Sequence, residues 1–470
     1  MENCNYDPTR RSMLRSLLGG SLLLPGIVSE LLAEESARAT IADPLAPQPP
    51  HFPPKAKRVI FLYMSGGVSH VDSWDPKPKL FADAGKTVPV NEFQGRKGDY
   101  KMFLKRPQFD FAPHGKCGTQ VSSLFPHMAE CVDDLCVIRS MKSDHTNHYE
   151  ATLGIHTGSF TFARPSIGSW VSYGLGTVNR NLPSFVVIAP HSPYAGGQVW
   201  GSDFLPGSHQ GTLVVPGPEP VANIKRRAAS SRLQELELGV LAKLNQRHLA
   251  EHPGDPLLSA RIKSFETAFG MQAEMPEVFD LSKESDETLN LYGLQRGSTQ
   301  GFAWQCLVAR RLAERGVRFV ELIDVGSSNN WDAHGDMLTH VPLAKNIDQP
   351  IAGLLKDLKQ RGMLDDTLVV WTTEFGRTPF NAAADAKGRE HHHWVFSSWL
   401  AGAGVKPGIT YGESDEYGID VGSNPVHIHD FHATILHLLG LDHERLTYRH
   451  TGRDYRLTDV HGRVVKEILA

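Results

Sequence analysis

The sequence predicts an α/β fold in which a doubly wound, mostly parallel sheet is flanked by helices. Short apolar runs recur along the chain and end in glycine or polar residues, as expected of strands that are buried on both faces. Between two of these runs lies an amphipathic helical segment, and such alternation of strands and helices is typical of parallel sheets. The chain has 470 residues and 40% hydrophobic content, enough for one large domain with insertions or for two domains.

Four apolar runs predict the strands of this sheet. They cover residues 58–64, 135–139, 317–323 and 367–372. A helix that ends at Gly362 is predicted by apolar residues at helical spacing, namely Ile347, Ile351, Leu354, Leu355 and Leu358.

The first 39 residues have the features of an export signal. Arg10 and Arg11 precede an apolar run from Leu17 to Val28, which is typical of a twin-arginine signal peptide. A membrane anchor is the alternative, but glycine and proline interrupt a run shorter than the roughly 20 apolar residues that span a bilayer. We therefore expect export to the periplasm or the extracellular space, with no stable membrane span once the signal is removed.

The rest of the chain divides by composition. Residues 40–56 are rich in proline and lack apolar periodicity, which predicts an extended linker before an α/β domain at 57–470. Residues 222–300 are rich in Ala, Leu, Glu and Arg, with leucines at helical spacing, and predict a helical insertion or lid. Ordinary helices that cover the sheet are the alternative for this segment.

Charge and cysteine content exclude some classes of function. The net charge of −4 leaves no basic field to hold nucleic acid. The cysteines after the signal are spaced unlike a zinc ribbon, and one or two disulfides or buried free thiols are both compatible with them. Histidine is frequent, with 23 residues that often lie beside Asp or Glu, as metal or acid–base chemistry requires.

Ionisable residues follow each predicted strand. Asp72 follows the first strand, a cluster at 144–148 the second, Asp332 and His334 the third, and Glu374 the fourth. Because ligands bind beyond the carboxyl ends of parallel strands, we expect these residues to converge. Carboxylates and imidazoles together bind divalent metals such as Zn or Mn, and Ca where oxygens dominate, so one or two ions are expected.

Some of these residues have alternative roles. Asp72 could instead cap the helix that follows it. Asp332 and His334 could form a turn in which the imidazole only supports a ligand. Asp430 lies near the start of a predicted helix and is expected to cap it rather than to bind metal.

Two further segments lie near the Glu374 strand. Three adjacent histidines at 391–393 cannot all bind one ion from an ordinary backbone, so we expect either His391 or His392 at the site. Arg377 is expected to bind an anionic oxygen of a substrate, or alternatively to form a salt bridge with Glu374.

Four motifs carry a family resemblance. They are Met64–Pro78, Trp331–Gly335, Glu374–Pro379 and Gly388–His391. Together with the signal they resemble a family of exported, sulfatase-like proteins, domain of unknown function 1501, within the alkaline phosphatase superfamily. The resemblance implies an alkaline phosphatase/sulfatase-like fold. It also implies an Asp after the first strand, a nucleophile at a helix start, and Asp and His ligands after later strands.

The resemblance assigns metal-binding roles by position. It assigns them to Asp72, Asp332, His334, Glu374 and either His391 or His392. Glu374 stands where the superfamily usually has Asp followed by His. Phe375 occupies the position of that His, which removes one expected ligand of a second ion.

The nucleophile departs furthest from the superfamily pattern. No cysteine after the signal has the x-Pro-x-Arg context of formylglycine sulfatases, which disfavours that mechanism. Residues 146–158 resemble the nucleophile helix of phosphodiesterases, but the expected Thr or Ser falls on Asp144 or His148. Thr146 and Ser143 are the nearby hydroxyls. We expect Thr146 or His148 to serve as nucleophile or acid–base group, unless water attacks directly.

These observations predict an exported, metal-dependent hydrolase of sulfate or phosphate esters. Its substrate would be a small-molecule or polysaccharide ester. The alternative is a catalytically degenerate sulfatase-like fold that acts as an extracytoplasmic carbohydrate- or protein-binding module, as the unclear nucleophile and Phe375 suggest.

Overall fold

A computed structural model describes residues 43–225, 230–252 and 256–470. The predicted twin-arginine signal at 1–39 and the first residues of the predicted linker lie outside the described residues. Within the described ranges, no helix is both long enough and apolar enough to cross a bilayer.

The strands are numbered in chain order. The first ten are β1 (Arg58–Tyr63), β2 (Thr87–Phe93), β3 (Arg96–Leu104), β4 (Phe111–His114), β5 (Thr119–Ser122), β6 (Leu135–Lys142), β7 (Phe185–Ile188), β8 (Thr212–Val214), β9 (Phe319–Ile323) and β10 (Thr367–Thr372). The others are β11 (Gly376–Arg377), β12 (Phe380–Asn381), β13 (His391–His392), β14 (Phe396–Ala401), β15 (Ile409–Tyr411), β16 (Glu413–Ser414), β17 (Val421–Ser423), β18 (Val426–His427), β19 (Tyr448–His450) and β20 (Arg453–Tyr455).

The α-helices are numbered in the same way. They are α1 (His70–Ser73), α2 (Pro78–Ala82), α3 (His148–Thr157), α4 (Ile167–Leu175), α5 (Ser231–Glu251), α6 (Pro256–Phe279), α7 (Asp286–Tyr292), α8 (Phe302–Glu314), α9 (His340–Gln360) and α10 (Ile428–Leu438).

The central sheet is mixed but mostly parallel. Its strands run in the order β15-β6-β14-β10-β1-β9-β7-β8, and β18 also pairs with β6. All neighbouring strands pair in parallel except β14, which is antiparallel to both β10 and β6. Because β14 is antiparallel to both of its neighbours, β6 and β10 run in the same direction. The carboxyl ends of β1, β6, β9 and β10 therefore lie along one edge of the sheet.

Helices cover both faces of this sheet. Along β1, Ile60 and Leu62 pack in a cluster with residues of α8 and α9, whereas Phe61 and Tyr63 pack in a cluster with residues of α3, α4 and α10. Successive side chains of a strand point to opposite faces, so a strand covered on both sides must be apolar throughout. This confirms the predicted doubly wound α/β class.

The four predicted strands and the predicted helix are confirmed. They correspond to β1, β6, β9, β10 and α9, with boundaries that differ by a few residues. α9 begins earlier than its apolar pattern, at His340, and ends at Gln360, two residues before Gly362. Asp430 does serve as a cap residue: it lies at the third position of α10 and accepts a hydrogen bond from the backbone of His427.

Residues 45–56 contain no helix or strand and run along the C-terminal end of α10. The backbone N–H groups of Lys55 and Ala56 donate to the carbonyl of Leu438 over 2.9 and 2.8 Å, and that of His51 donates to Gly440 over 2.8 Å. Of the cysteines, Cys131, Cys136 and Cys306 are buried free thiols, and Cys117 is an exposed one. In this structure the thiols after the signal are therefore unpaired.

Among the described residues, 43–44, 225, 230–252 and 256–265 form a second, smaller compact unit. It contains α5, whose leucines Leu233, Leu236 and Leu241 are exposed. Asp43 and Lys263 form an ion pair in this unit, with 2.7 Å between Oδ2 and Nζ. The segment at 222–300 is thus helical over much of its length, with α5, α6 and α7 inside it.

Leu354→Ala should lower the free energy of unfolding by about 2–5 kcal/mol, because Leu354 of α9 is fully buried against the sheet and its removal leaves a cavity. Leu338→Ala is the matched control, since Leu338 is 54% exposed, and should change stability by less than about 0.5 kcal/mol. Urea unfolding of the mature chain measures both. Equal losses in the two variants would contradict the described packing of α9.

Candidate metal centre

Four chain segments meet at the edge of the sheet where β1, β6, β9 and β10 end. Asp332 and His334 come from the loop after β9, and Glu374 lies two residues beyond the end of β10. His148 is the first residue of α3, which begins shortly after β6. His391 lies in β13, just before β14 enters the sheet from the same edge. The fold therefore brings these five predicted residues together.

Three imidazole rings surround the carboxylate of Asp332. The Nε2 atoms of His334 and His391 lie 2.9 and 3.2 Å from its Oδ1, and Nε2 of His148 lies 3.2 Å from its Oδ2. The Nε2 atoms of His334 and His391 are 2.9 Å apart. The loop after β9, the start of α3 and β13 therefore bring their side chains together, and His148, Asp332 and His391 offer ligand atoms that lie within 4.8 Å of one another, close enough to bind one ion.

The other ring nitrogen of each histidine contacts an acceptor. Nδ1 of His148 lies 2.8 Å from Oε1 of Glu374, and Nδ1 of His334 lies 2.8 Å from Oε2 of Glu390. Nδ1 of His391 lies 2.6 Å from the backbone carbonyl of Thr146. An acceptor at Nδ1 requires the proton there, which leaves Nε2 of a neutral ring with a free lone pair. This is the tautomer that binds a metal through Nε2.

The donor set fits a divalent cation. Nε2 of His148 is buried and has no partner with hydrogen-bond geometry. Lone pairs on the other two Nε2 atoms and on a carboxylate repel one another at these distances unless a proton or a cation lies among them. Three imidazoles and a carboxylate are the ligands that Zn²⁺ and similar ions prefer.

Charge also shapes this centre. Hydrogen bonds to Asp332 and Glu390 raise the pKa of His334 to about 9. Burial raises the pKa of Asp332, but its contacts with the three histidines and with Arg377 outweigh burial and hold that pKa well below its usual range. Asp332 is therefore ionised at neutral pH.

Arg377 holds Asp332 in place. Its Nη2 contacts Oδ1 of Asp332 and the carbonyl of Gly66, and its Nε donates to the carbonyl of Gly67 over 3.0 Å. The guanidinium is fully buried, so these N–H groups face protein acceptors and not solvent. Gly66 has a φ of +109°, and a Cβ there would lie 2.8 Å from the backbone nitrogen of Asp332. A side chain at this position would displace the loop that carries Asp332.

Glu374 lies behind His148. Its Oε1 accepts hydrogen bonds from the backbone N–H of Gly66 and from His148, both over 2.8 Å. Its Oε2 accepts from Tyr63 over 3.0 Å and from Thr373 over 3.1 Å. Four donors satisfy this carboxylate, so in this structure Glu374 orients the His148 ring and does not face the common centre.

Aromatic rings fix the histidines further. The ring of Tyr194 stacks on His148 with 4.1 Å between centroids. Phe375 packs against both His148 and His391, at 4.9 and 4.7 Å. Phe375 thus occupies the space beside these rings as an apolar wall.

Two predicted site residues are not brought to this centre. Asp72 is buried and pairs with Arg389 at 2.7 Å, and it also accepts from the hydroxyl of Ser69 and the backbone of Gln108. His392 points away from His391, with its Nε2 lying 2.7 Å from the carbonyl of Ile419. Consecutive residues of a strand face opposite sides, so only one of the two histidines can reach the centre.

Thr146 reaches the centre through its backbone. Its carbonyl is the acceptor for His391, and its hydroxyl lies against Gly95, where a Cβ would come within 2.8 Å of it. Ser143 is buried, and its hydroxyl has no hydrogen-bond partner.

Sequence reasoning missed two residues that support the histidines, Glu390 and Tyr63. Glu390 stands directly before His391, so a carboxylate beside a candidate ligand was the available signal. Tyr63 ends an apolar strand, and its hydroxyl carried no signal because tyrosine is common in buried strands. Sequence reasoning also missed the role of Arg389, whose ion pair with Asp72 explains why Asp72 is not brought to the centre.

Comparisons with known proteins identify a family model and distant structures. The family model described as "Protein of unknown function (DUF1501)" matches residues 56–469. No curated protein matches the chain.

Three of the similar solved structures share little sequence identity with this chain. The lipoteichoic acid synthase LtaP from Listeria monocytogenes is 9% identical, with 88% of this chain and 79% of that chain covered and a TM-score of 0.37. A protein in the alkaline phosphatase superfamily from Vibrio parahaemolyticus is 11% identical, with 90% and 76% covered and a TM-score of 0.38. The PsFucS1 sulfatase from Pseudoalteromonas sp. is 11% identical, with 82% and 68% covered and a TM-score of 0.35.

Arg389→Met should lower the free energy of unfolding at pH 7 by about 3–5 kcal/mol, because it leaves the buried carboxylate of Asp72 without its cation. Arg449→Met is the matched control: Arg449 pairs with Asp454 on the surface and should matter by less than about 1 kcal/mol. Urea unfolding at several pH values measures both.

The pH dependence of this difference has a definite sign. In the wild type, burial raises the pKa of Asp72, but Arg389 and hydrogen bonds outweigh it and the pKa is lowered. The stability that ionised Asp72 contributes is therefore present above the unfolded pKa of about 4 and is lost as pH falls. In the Arg389→Met variant, burial raises the pKa of Asp72. Protonation of that carboxylate then removes the free-energy cost of burying its charge. The difference in the free energy of unfolding between wild type and variant should become smaller from pH 7 toward about pH 4. A difference that stays constant with pH would contradict the ion pair.

Proposed function

The chain belongs to the DUF1501 family, and from that premise we propose that it is a metal-dependent hydrolase of sulfate or phosphate esters. The observation that carries the proposal is the convergence of three Nε2 atoms on the Asp332 carboxylate while each Nδ1 contacts an acceptor. Such a set of oriented nitrogens beside a carboxylate is what a transition-metal site requires, with the ion displacing any proton on Nε2.

We propose a single divalent ion held by His148, Asp332, His334 and His391. Zn²⁺ or Mn²⁺ suits three imidazoles and one carboxylate better than Ca²⁺, which prefers oxygen ligands. Asp72, bound by Arg389, and Glu374, bound by four donors, support one ion rather than two.

The chain's own residues have defined tasks in this proposal. When bound, the ion supplies Lewis-acid polarisation of an ester oxygen. Glu374 and Tyr63 orient the His148 ring, and Glu390 orients His334. Arg377 orients Asp332, since its N–H groups contact that carboxylate and two glycine carbonyls.

The attacking group is proposed to be the hydroxyl of Thr146 or a water molecule, because His148 is assigned to the ion. Thr146→Ala separates the two. Loss of turnover with metal content retained identifies the hydroxyl, and retained turnover identifies water.

The first test is metal content and turnover together. His334→Ala and His391→Ala should each lower Zn²⁺ affinity by more than about 100-fold, and hydrolysis of aryl sulfate and aryl phosphate esters should fall with it. His392→Ala is the matched control, because His392 contacts Ile419 instead, and it should keep both metal and turnover. Elemental analysis and a chromogenic ester assay measure these outcomes.

Two results would contradict the hydrolase. Turnover that survives in metal-free protein would exclude the metal-dependent mechanism. Full metal occupancy without turnover of either ester class would favour the alternative, a sulfatase-like fold that binds a carbohydrate or a protein outside the cell.

Export by the twin-arginine route is part of this proposal. Replacing Arg10 and Arg11 together by Lys should leave the precursor in the cytoplasm, because recognition of such signals depends on the arginine pair. Arg15→Lys, outside the pair, should be exported like the wild type. Cell fractionation with immunoblotting measures this, and normal export of the double variant would contradict it.

A further inference from the structure

The turn of the β2–β3 hairpin lies against the candidate metal centre. Its two central residues, Gln94 and Gly95, have φ angles of +50° and +73°. Phe93 pairs with Arg96 across the turn. Two successive positive φ angles in a two-residue loop are the mark of a type I′ turn, whose conformation is tightly constrained. The turn therefore forms a narrow, two-residue tip.

This tip contacts two loops at once. The side chain of Gln94 lies beside the carboxylate of Glu390, whose pKa is lowered chiefly by His334 and in part by Gln94. The backbone of Gly95 passes directly against Thr146, so closely that a Cβ on Gly95 would lie 2.8 Å from the threonine hydroxyl. A third contact joins Glu92 to His393, with 3.8 Å between Oε1 and Nδ1.

Glu390 and Thr146, the two residues that the tip contacts, each accept a hydrogen bond from the Nδ1 atom of a candidate metal ligand. Glu390 holds Nδ1 of His334 at 2.8 Å, and the carbonyl of Thr146 holds Nδ1 of His391 at 2.6 Å. We infer that the Gln94–Gly95 turn is a positioning element of the metal centre: it fixes Glu390 and Thr146 and thereby aims the Nε2 atoms of His334 and His391. This inference rests on the proposed function, because it presupposes that those histidines bind an ion.

The hairpin is anchored away from the centre. At its far end β3 pairs with β12, with Leu104 opposite Phe380 and Phe103 opposite Asn381. Near that end, Val90, Met102 and Phe380 form a small apolar cluster, whereas most side chains toward the turn are exposed. The turn buries little surface of its own, so its contacts with Glu390 and Thr146 contribute mainly to the geometry of the centre.

The experiment uses Co²⁺ bound to the mature chain as a probe, because its visible absorption reports ligand geometry. The variants are Gln94→Ala, which removes the contact with Glu390, and Gly95→Val, which is strained at φ +73° and crowds Thr146. Lys101→Ala, an exposed residue of the same hairpin, is the control. Thermal unfolding of the metal-free proteins checks that each variant folds.

Both turn variants should still bind Co²⁺ but with altered absorption, and a chelator should remove the ion about 10–100-fold faster than from the wild type. Lys101→Ala should match the wild type. Wild-type spectra and release rates in both turn variants would overturn this inference alone. A wild-type protein that binds no Co²⁺ or Zn²⁺ would overturn the metal centre and this inference with it.

Discussion

The carboxylate of Asp332 is half-buried against three imidazole rings and a guanidinium, and this contact governs how the surrounding loops are arranged. A charge removed from water is costly unless opposite charge and hydrogen bonds replace the lost hydration. Here the compensation comes from His148, His334, His391 and Arg377, which belong to four separate segments. The loops after β6, β9 and β10 and the segment before β14 must therefore meet at one point.

The rings around this carboxylate are themselves held by further hydrogen bonds. His148 is oriented by Glu374, which is bound by Tyr63 and by the backbone of Gly66. His334 is oriented by Glu390. Each outer partner removes a rotational freedom from the ring inside it and fixes which nitrogen carries the proton. Because Tyr63 and Glu374 stand at strand ends, the geometry of the rings is tied to the rigid sheet.

Asp72 shows how the same residue type at a similar place can have a different role. It follows β1 at the same edge of the sheet, but the guanidinium of Arg389 satisfies its charge. Removing the carboxylate from that pair would leave a buried arginine uncompensated, so the pair holds the two segments together. Asp332 also has an arginine partner, Arg377, but it contacts three imidazole rings as well. As a result, the Nε2 atoms of His334 and His391 lie only 2.9 Å from each other.

The sequence by itself determined the class of fold, the family and the edge at which the ionisable residues gather. Strands covered on both faces must be apolar throughout, so β1, β6, β9 and β10 are recognisable in the sequence as apolar runs. Because these strands are parallel, the polar residues that follow them lie at the same edge of the sheet. The family resemblance drawn from the motifs agrees with the family match at 56–469.

Only the tertiary structure decided which side chains touch. Tyr63 and Glu374 are 311 residues apart, and Arg389 and Asp72 are 317 apart, so no local pattern relates them. The choice between His391 and His392 depends on the register of β13, because a shift of one residue would exchange the faces of the two rings. The contact of Gln94 with Glu390 depends on where the β2–β3 hairpin docks. Spacing along a chain determines periodicity and local conformation, whereas contacts within 4 Å depend on how distant segments pack.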